Sequence, residues 1–173
     1  MEIVRIPTER IGVLVGEKGA TKKVIETKCK VHLTIEEEGD VEIEGDSTET
    51  FFAKDVVKAI GRGFTPHEAL KLIEQDYNLY IIQLKDLISS DKAITRLKGR
   101  VIGEKGRMKS DIESATESYV CIYGNTIGII ARIDTMDKTK EAITMLLDGA
   151  PHNVVINYLA KARREIMESR LKG

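Results

Sequence analysis

The tetrapeptide Gly-Glu-Lys-Gly occurs twice in the chain, at Gly16–Gly19 and at Gly103–Gly106. Both copies follow a branched aliphatic pair, Leu14-Val15 and Val101-Ile102, and both stand four residues after another glycine, Gly12 or Gly99. Lys22 and Lys109 come three residues after the motif, and Ile25 and Ile112 six residues after it, at a constant offset of 87. A duplicated core repeats its apolar pattern. A duplicated turn that keeps its glycines has a backbone that must come close to something. Two glycines bracketing two residues let the main chain meet a ligand's backbone without side-chain collision. The helix that follows presents free N–H groups and the positive end of its dipole at the same place. Phosphates of a single-stranded nucleic acid fit such a clamp. Lys18 and Lys105 supply cations inside the loops, with Lys22, Arg107 and Lys109 one turn on. Glu17 and Glu104 sit oddly beside phosphate and are expected to face solvent.

Other chemistries fare badly. Gly12-x-x-x-Gly16-Glu17-Lys18 is one residue short of a P-loop, and no Ser or Thr follows its lysine. His32, His67 and His152 are not spaced as metal ligands or as a nucleophile's base, and the last two read as helix-start residues. Cys29 and Cys121 fall at non-equivalent places in the repeat and are expected to be buried free thiols of an intracellular protein. The carboxylates 36–38 and 42–46 read as a solvated turn and strand face. Nothing assembles a nucleophile, a base or a metal site, so the sequence predicts no enzyme, no cofactor and no metal.

The elements that position the loops follow from periodicity. Glu2–Ile6 alternates as a strand, and Thr8 is placed to cap a short helix through Leu14. After the first loop, Ala20–Cys29 reads as a helix with Val24 and Ile25 inward. Strands at Val31–Ile35 and Val41–Glu44 flank the charged turn Glu36–Asp40. Asp46 with Glu49 suggests a capping box for a helix bearing Phe52, Val56, Ala59 and Ile60. The second half repeats the order: a strand at Leu79–Leu84, a helix at Lys92–Ile102, the loop, and a helix at Arg107–Thr116. Strands at Tyr119–Tyr123 and Ile127–Ile133 then join through Gly124-Asn125, and Thr139–Leu147 is helical. The stretch before the loop is longer in this copy and carries Arg96, Lys98 and Arg100. Each copy ends in a Gly/Pro/His appendix, around Pro66-His67 and Pro151-His152, that starts one further helix, Pro66–Asp76 or Pro151–Leu171. Thr65 with Glu68 makes a capping box for the first of these.

The fold class is therefore α+β, two β-α-α-β-β-α units with an extra helix each, divided as 1–77 and 78–173. A net charge of −1 hides an asymmetry. Residues 1–87 carry 12 Lys/Arg against 17 Asp/Glu, a net of −5, and residues 88–173 carry 15 against 11, a net of +4. A polyanion favours the second half. The basic residues Lys161, Arg163, Arg164, Arg170 and Lys172 of the last helix are candidates for RNA contact or for a plain solvated face. Aromatic residues make up only 5% and Trp is absent, which argues against a sheet that stacks bases on aromatic rings. No apolar run approaches a bilayer span, and no signal peptide opens the chain, so no membrane is expected and a cytoplasmic location is.

The run Arg100-Val101-Ile102-Gly103-Glu104-Lys105-Gly106 in such a unit resembles a type I KH domain. The tandem pair with its Pro-His appendices is similar over nearly its whole length to a narrower family, the archaeal counterparts of the eukaryotic KH protein that partners the Nob endonuclease in small ribosomal subunit assembly. The resemblance implies a non-enzymatic factor that binds precursor small-subunit rRNA near its 3′ end and works with the maturation endonuclease, among other assembly or translation factors. The loop residues carry over onto Gly103, Glu104, Lys105 and Gly106. The eukaryotic relatives have a degenerate first unit, whereas Gly16 and Gly19 are intact here. The candidate contact set is then Arg96, Lys98, Arg100, Gly103, Glu104, Lys105, Gly106, Arg107, Lys109 and Ile112, with Gly16, Glu17, Lys18, Gly19 and Lys22 in the first unit. Two alternatives stand beside it: a KH module of RNA decay or transcription machinery, and a protein-interaction scaffold that has lost RNA.

Overall fold

The computed structural model describes residues 1–173, which divide into two compact units, Met1–Leu79 and Tyr80–Gly173. In the first unit β1 (Glu2–Arg5), β2 (His32–Ile35) and β3 (Asp40–Glu44) form an antiparallel sheet in the order β1-β3-β2. Ile3 lies opposite Glu42 and Val4 opposite Val41, while Leu33 lies opposite Ile43. The register therefore puts Val4, Leu33, Val41 and Ile43 on the buried face and leaves Ile3 and Glu42 outside. Three helices cover the buried face: α1 (Ile11–Val15), α2 (Ala20–Cys29) and α3 (Ser47–Gly61). They contribute the fully buried Leu14, Ile25, Val56 and Ile60.

The second unit repeats the plan with β4 (Tyr77–Gln83), a short α5 (Leu84–Leu87), α6 (Asp91–Ile102), α7 (Arg107–Thr116), β5 (Tyr119–Tyr123), β6 (Thr126–Arg132) and α8 (Ile133–Leu147). Its sheet order is β4-β6-β5, with β5 and β6 antiparallel from Tyr119–Ile130 to Tyr123–Thr126. Ile94, Val101, Ile112, Ile127, Ile129 and Ile143 make its core. β2 and β5 are thus edge strands, each beside the helix that follows its Gly-x-x-Gly loop.

Local chemistry decides most boundaries, and some differ from expectation. Thr65 and Glu68 do form a capping box, the Thr65 hydroxyl accepting from the Glu68 N–H at 3.2 Å and the Glu68 carboxylate from the Thr65 N–H at 3.0 Å. The helix they start, α4 (Pro66–Ala69), tightens into a 3-10 turn over Leu70–Ile73 and ends well before Asp76. Asp46 makes no such box with Glu49, nor does Thr8 cap: it opens a 3-10 turn, Thr8–Arg10, ahead of α1. α8 begins six residues earlier than expected. Thr135, Met136 and Thr139 are buried at helical spacing, but the charges among them disguise the pattern. Val24, expected inward, is 42% exposed. Cys29 is buried and burial pushes its thiol pKa up to about 11, whereas Cys121 is only half-buried.

The last helix, α9 (His152–Lys172), lies along α7 and α8 and buries Val155, Leu159, Ala162 and Ile166, a stripe at three- and four-residue spacing. Lys138 of α8 donates to Glu165, and Arg170 reaches the carboxylates of Glu117 at 2.9 Å and Asp134 at 3.7 Å. These pairs hold Glu165 below the usual carboxylate range and Arg170 above the usual guanidinium range.

Candidate nucleic-acid interface

The two loops have the same backbone. Gly16 and Gly103 both have φ 75°, Lys18 and Lys105 have φ 54° and 55°, and Gly19 and Gly106 have φ 77° and 75°. Three left-handed residues among four fold the chain into a tight crest ahead of α2 and α7. The glycines are there for different reasons. A Cβ on Gly16 would lie 2.2 Å from the Thr21 hydroxyl oxygen, and one on Gly103 would lie 2.6 Å from the Met108 Cβ, so the fold itself demands them. Gly12 and Gly99 are helical and exposed, and a Cβ there would meet nothing within 4 Å. The fold does not demand a bare backbone at these two positions. Lys18 and Lys105 hold a conformation that costs an L-residue about 1–2 kcal/mol. Backbone strain of this kind gathers at sites that use it.

α2 and α7 begin without any side-chain cap: the Ala20 and Arg107 N–H groups donate to the Glu17 and Glu104 carbonyls, and no side chain takes the N–H groups that follow, which suits an anion. At the second loop Glu104, Lys105 and Arg107, all exposed, line a cavity of about 350 Å³. Ala20 stands where Arg107 stands in the second copy, so the first crest carries one cation fewer. Glu17 is exposed like Glu104.

The remaining candidates separate into those free to meet a ligand and those already engaged. Arg96 is exposed on α6. Lys98 donates to the Gly124 carbonyl at 2.8 Å and so ties α6 to the β5–β6 turn. Arg100 is turned away from the loop. Its guanidinium donates to the Leu146 carbonyl at 2.8 Å and to the Ala150 carbonyl, satisfying the C-terminal end of α8. Arg10 does the same for α3, donating to the Ile60 and Phe64 carbonyls at 2.8 and 2.9 Å. Arg100 was expected among the RNA contacts, but its side chain is spent on the fold. Ile112 was expected there too, yet it is fully buried in the core and only steadies α7.

Lys109 pairs with Glu113 at 3.1 Å, and the same carboxylate accepts the Val120 N–H of β5 at 2.9 Å. In the first unit Glu26 accepts the Leu33 N–H of β2 at 2.9 Å but pairs with His32 at 3.1 Å, which leaves Lys22 to the loop. Glu26 and Glu113 thus pin each loop-bearing helix to its edge strand and fix the width of the groove between them. Sequence reasoning passed over them, although their identity at the repeat offset was a signal. By strand alternation the next outward backbone donor along β5 belongs to Ile122, an unpaired edge that a base can meet. The acidic residues Glu36, Glu37 and Glu38 gather with Ile3 and Glu42 around a cavity of about 570 Å³ on the outer sheet face. No three of His, Cys, Asp or Glu gather as metal ligands.

A Gly-x-x-Gly crest between two helices, an uncapped helix start and an open edge strand, all present twice, define a tandem pair of type I KH modules. A profile of the eukaryotic-type KH domain (KH domain type I) matches residues 78–164, and one of the KH domain matches residues 1–59. A KH domain-containing protein of Methanocaldococcus jannaschii is 44% identical over 99% of this chain and 78% of its own length. The pre-rRNA-processing protein pno1 of Aspergillus fumigatus is 31% identical over 66% of this chain, which spans 47% of that longer protein. The crystal structure of Dim2p from Pyrococcus horikoshii matches with a TM-score of 0.87 and 41% identity, over 92% of this chain and 98% of that one. The same organism's a/eIF2alpha–aDim2p–rRNA complex contains a chain that matches with a TM-score of 0.88 and 40% identity, over 95% and 94%. The protein belongs to the family of archaeal tandem KH proteins related to Dim2p and Pno1, the KH family of small-subunit assembly.

Proposed function

We propose that this protein binds single-stranded RNA at its Gly-x-x-Gly loops, the second more tightly than the first. In this reading it is a non-enzymatic assembly factor, cytoplasmic, on precursor small-subunit rRNA near the 3′ end, beside the endonuclease that matures that end. The observation that carries the reading is the repeated crest: two loops of one backbone geometry, each opening an uncapped helix beside an edge strand. The relatives support the biological setting, since one is named for pre-rRNA processing and another was crystallised with rRNA. No helix is long and apolar enough to cross a membrane.

The test is fluorescence anisotropy with a short labelled single strand, its duplex, and a fragment ending at the small-subunit rRNA 3′ terminus. The single strand is expected to bind at least tenfold more tightly than the duplex, because a clamp on about four nucleotides with splayed bases cannot engage a paired strand. Equal affinity for both forms refutes the groove. A metal-dependent cleavage that disappears on mutating one carboxylate refutes the non-enzymatic reading.

A further inference from the structure

The duplication lets one surface of the molecule be compared with its own counterpart. In the second unit the side of α7 turned away from β5 carries Asp111, Ser114 and Ala115, and α9 lies on it. Leu159 and Arg163 of α9 share a cavity of about 330 Å³ with those three residues, and Ala115 is only 9% exposed. At the repeat offset, Asp111, Ser114 and Ala115 correspond to Val24, Thr27 and Lys28 of α2. There the same side is open. Ala20, Lys23, Val24, Thr27 and Lys28 line a predominantly apolar depression of about 450 Å³, and all five are exposed. The appended segment of the first unit touches α2 but is too short to cover this side: four residues of α4 and four of the 3-10 turn that follows, where α9 has 21.

Two features say what belongs there. Val24 is an exposed branched apolar side chain at a place where the repeat has an aspartate, and it packs into no core. The charge of the face is also reversed. Asp111 and Arg163 both line the α7–α9 cavity, whereas Lys23 and Lys28 bracket Val24 and no carboxylate lines that depression. We propose that this side of α2 docks an amphipathic helix of a partner protein. The helix covers Val24 with its apolar stripe and pairs Glu or Asp side chains with Lys23 and Lys28, in the place that α9 takes on α7. RNA is a poorer occupant, because the surface between the lysines is aliphatic and lies on the opposite side of α2 from Glu26, Lys22 and the edge strand. A second copy docking through α9 is disfavoured, since the apolar stripe of α9 is already buried within its own unit and Arg163 would bring like charge to the two lysines.

The test uses the whole protein, isotope-labelled, and two helix-stapled peptides spanning residues 152–168 of this chain. One carries the native sequence and the other K161E, R163E and R164E. The acidic peptide is expected to shift the amides of Lys23, Val24, Thr27 and Lys28 and to bind at least tenfold more tightly than the native one. Val24→Asp is expected to abolish that binding with single-stranded RNA affinity unchanged, and K23E/K28E to reverse the preference between the peptides. Equal binding of the two peptides, shifts elsewhere on the protein, or binding that survives Val24→Asp overturns the proposal. So does an RNA oligonucleotide that displaces the acidic peptide, or concentration-dependent self-association that Val24→Asp removes.

Discussion

At the scale of single residues, Lys105 separates two contributions that one side chain makes. Its left-handed backbone costs stability, while its ammonium group sits on the crest where phosphate is expected. Lys105→Gly removes both. Relief of about 1 kcal/mol of backbone strain is offset by the larger unfolded-state entropy of glycine, about 0.5–1 kcal/mol. Chemical denaturation should therefore show a stability within about 0.5 kcal/mol of wild type, while affinity for single-stranded RNA falls severalfold. A large loss of stability would mean that the lysine side chain supports the fold. The cysteines give a second test. Burial disfavours the Cys29 thiolate, so its pKa near 11 lies above the ordinary thiol value of 9.0. That burial contributes stability at neutral pH, which is lost as pH rises from about 9 through about 11. Iodoacetamide at pH 8, read by mass spectrometry, should label the half-buried Cys121 well before Cys29.

At the scale of elements, the side chains that hold the loops in place outweigh the sequence impression of a basic cluster. Arg100 satisfies two carbonyls at the end of α8, so Arg100→Ala should lower stability by about 1–3 kcal/mol. RNA affinity of the folded variant should stay within about twofold, measured at a temperature below its transition. Much of this architecture was legible in the sequence, because glycines at a fixed offset report backbone geometry directly. The loop glycines, the helix from Arg107 to Thr116 and the Thr65–Glu68 cap are local signals, and the structure has all of them. What stayed hidden is non-local. The carbonyls that Arg100 meets lie 46 and 50 residues further along the chain, and the N–H that Glu113 accepts lies across a turn. Val24 misled for the opposite reason. Its apolar type suits a core, but the helix phase set by Ile25 and Cys29 turns it outward.

At the scale of the whole molecule, the charge split and the engaged side chains together decide how the two loops share an RNA strand. Six basic residues cluster around the second loop in the sequence, but Lys98, Arg100 and Lys109 are hydrogen-bonded within the unit. Arg96, Lys105 and Arg107 stay exposed, so roughly three phosphates should be neutralised there, with about 0.7 counterions released per phosphate on a single strand. The log–log salt dependence should have a slope of about −2. K105E/R107E should flatten it and lower affinity by at least tenfold, with the circular dichroism spectrum unchanged because both residues are exposed. The first crest offers Lys18 and Lys22 within a unit of net negative charge, so K18E/K22E should weaken binding less. A larger loss from K18E/K22E than from K105E/R107E would reverse the ranking of the two units. It would mean that backbone geometry, which the loops share, governs affinity more than the charge around them.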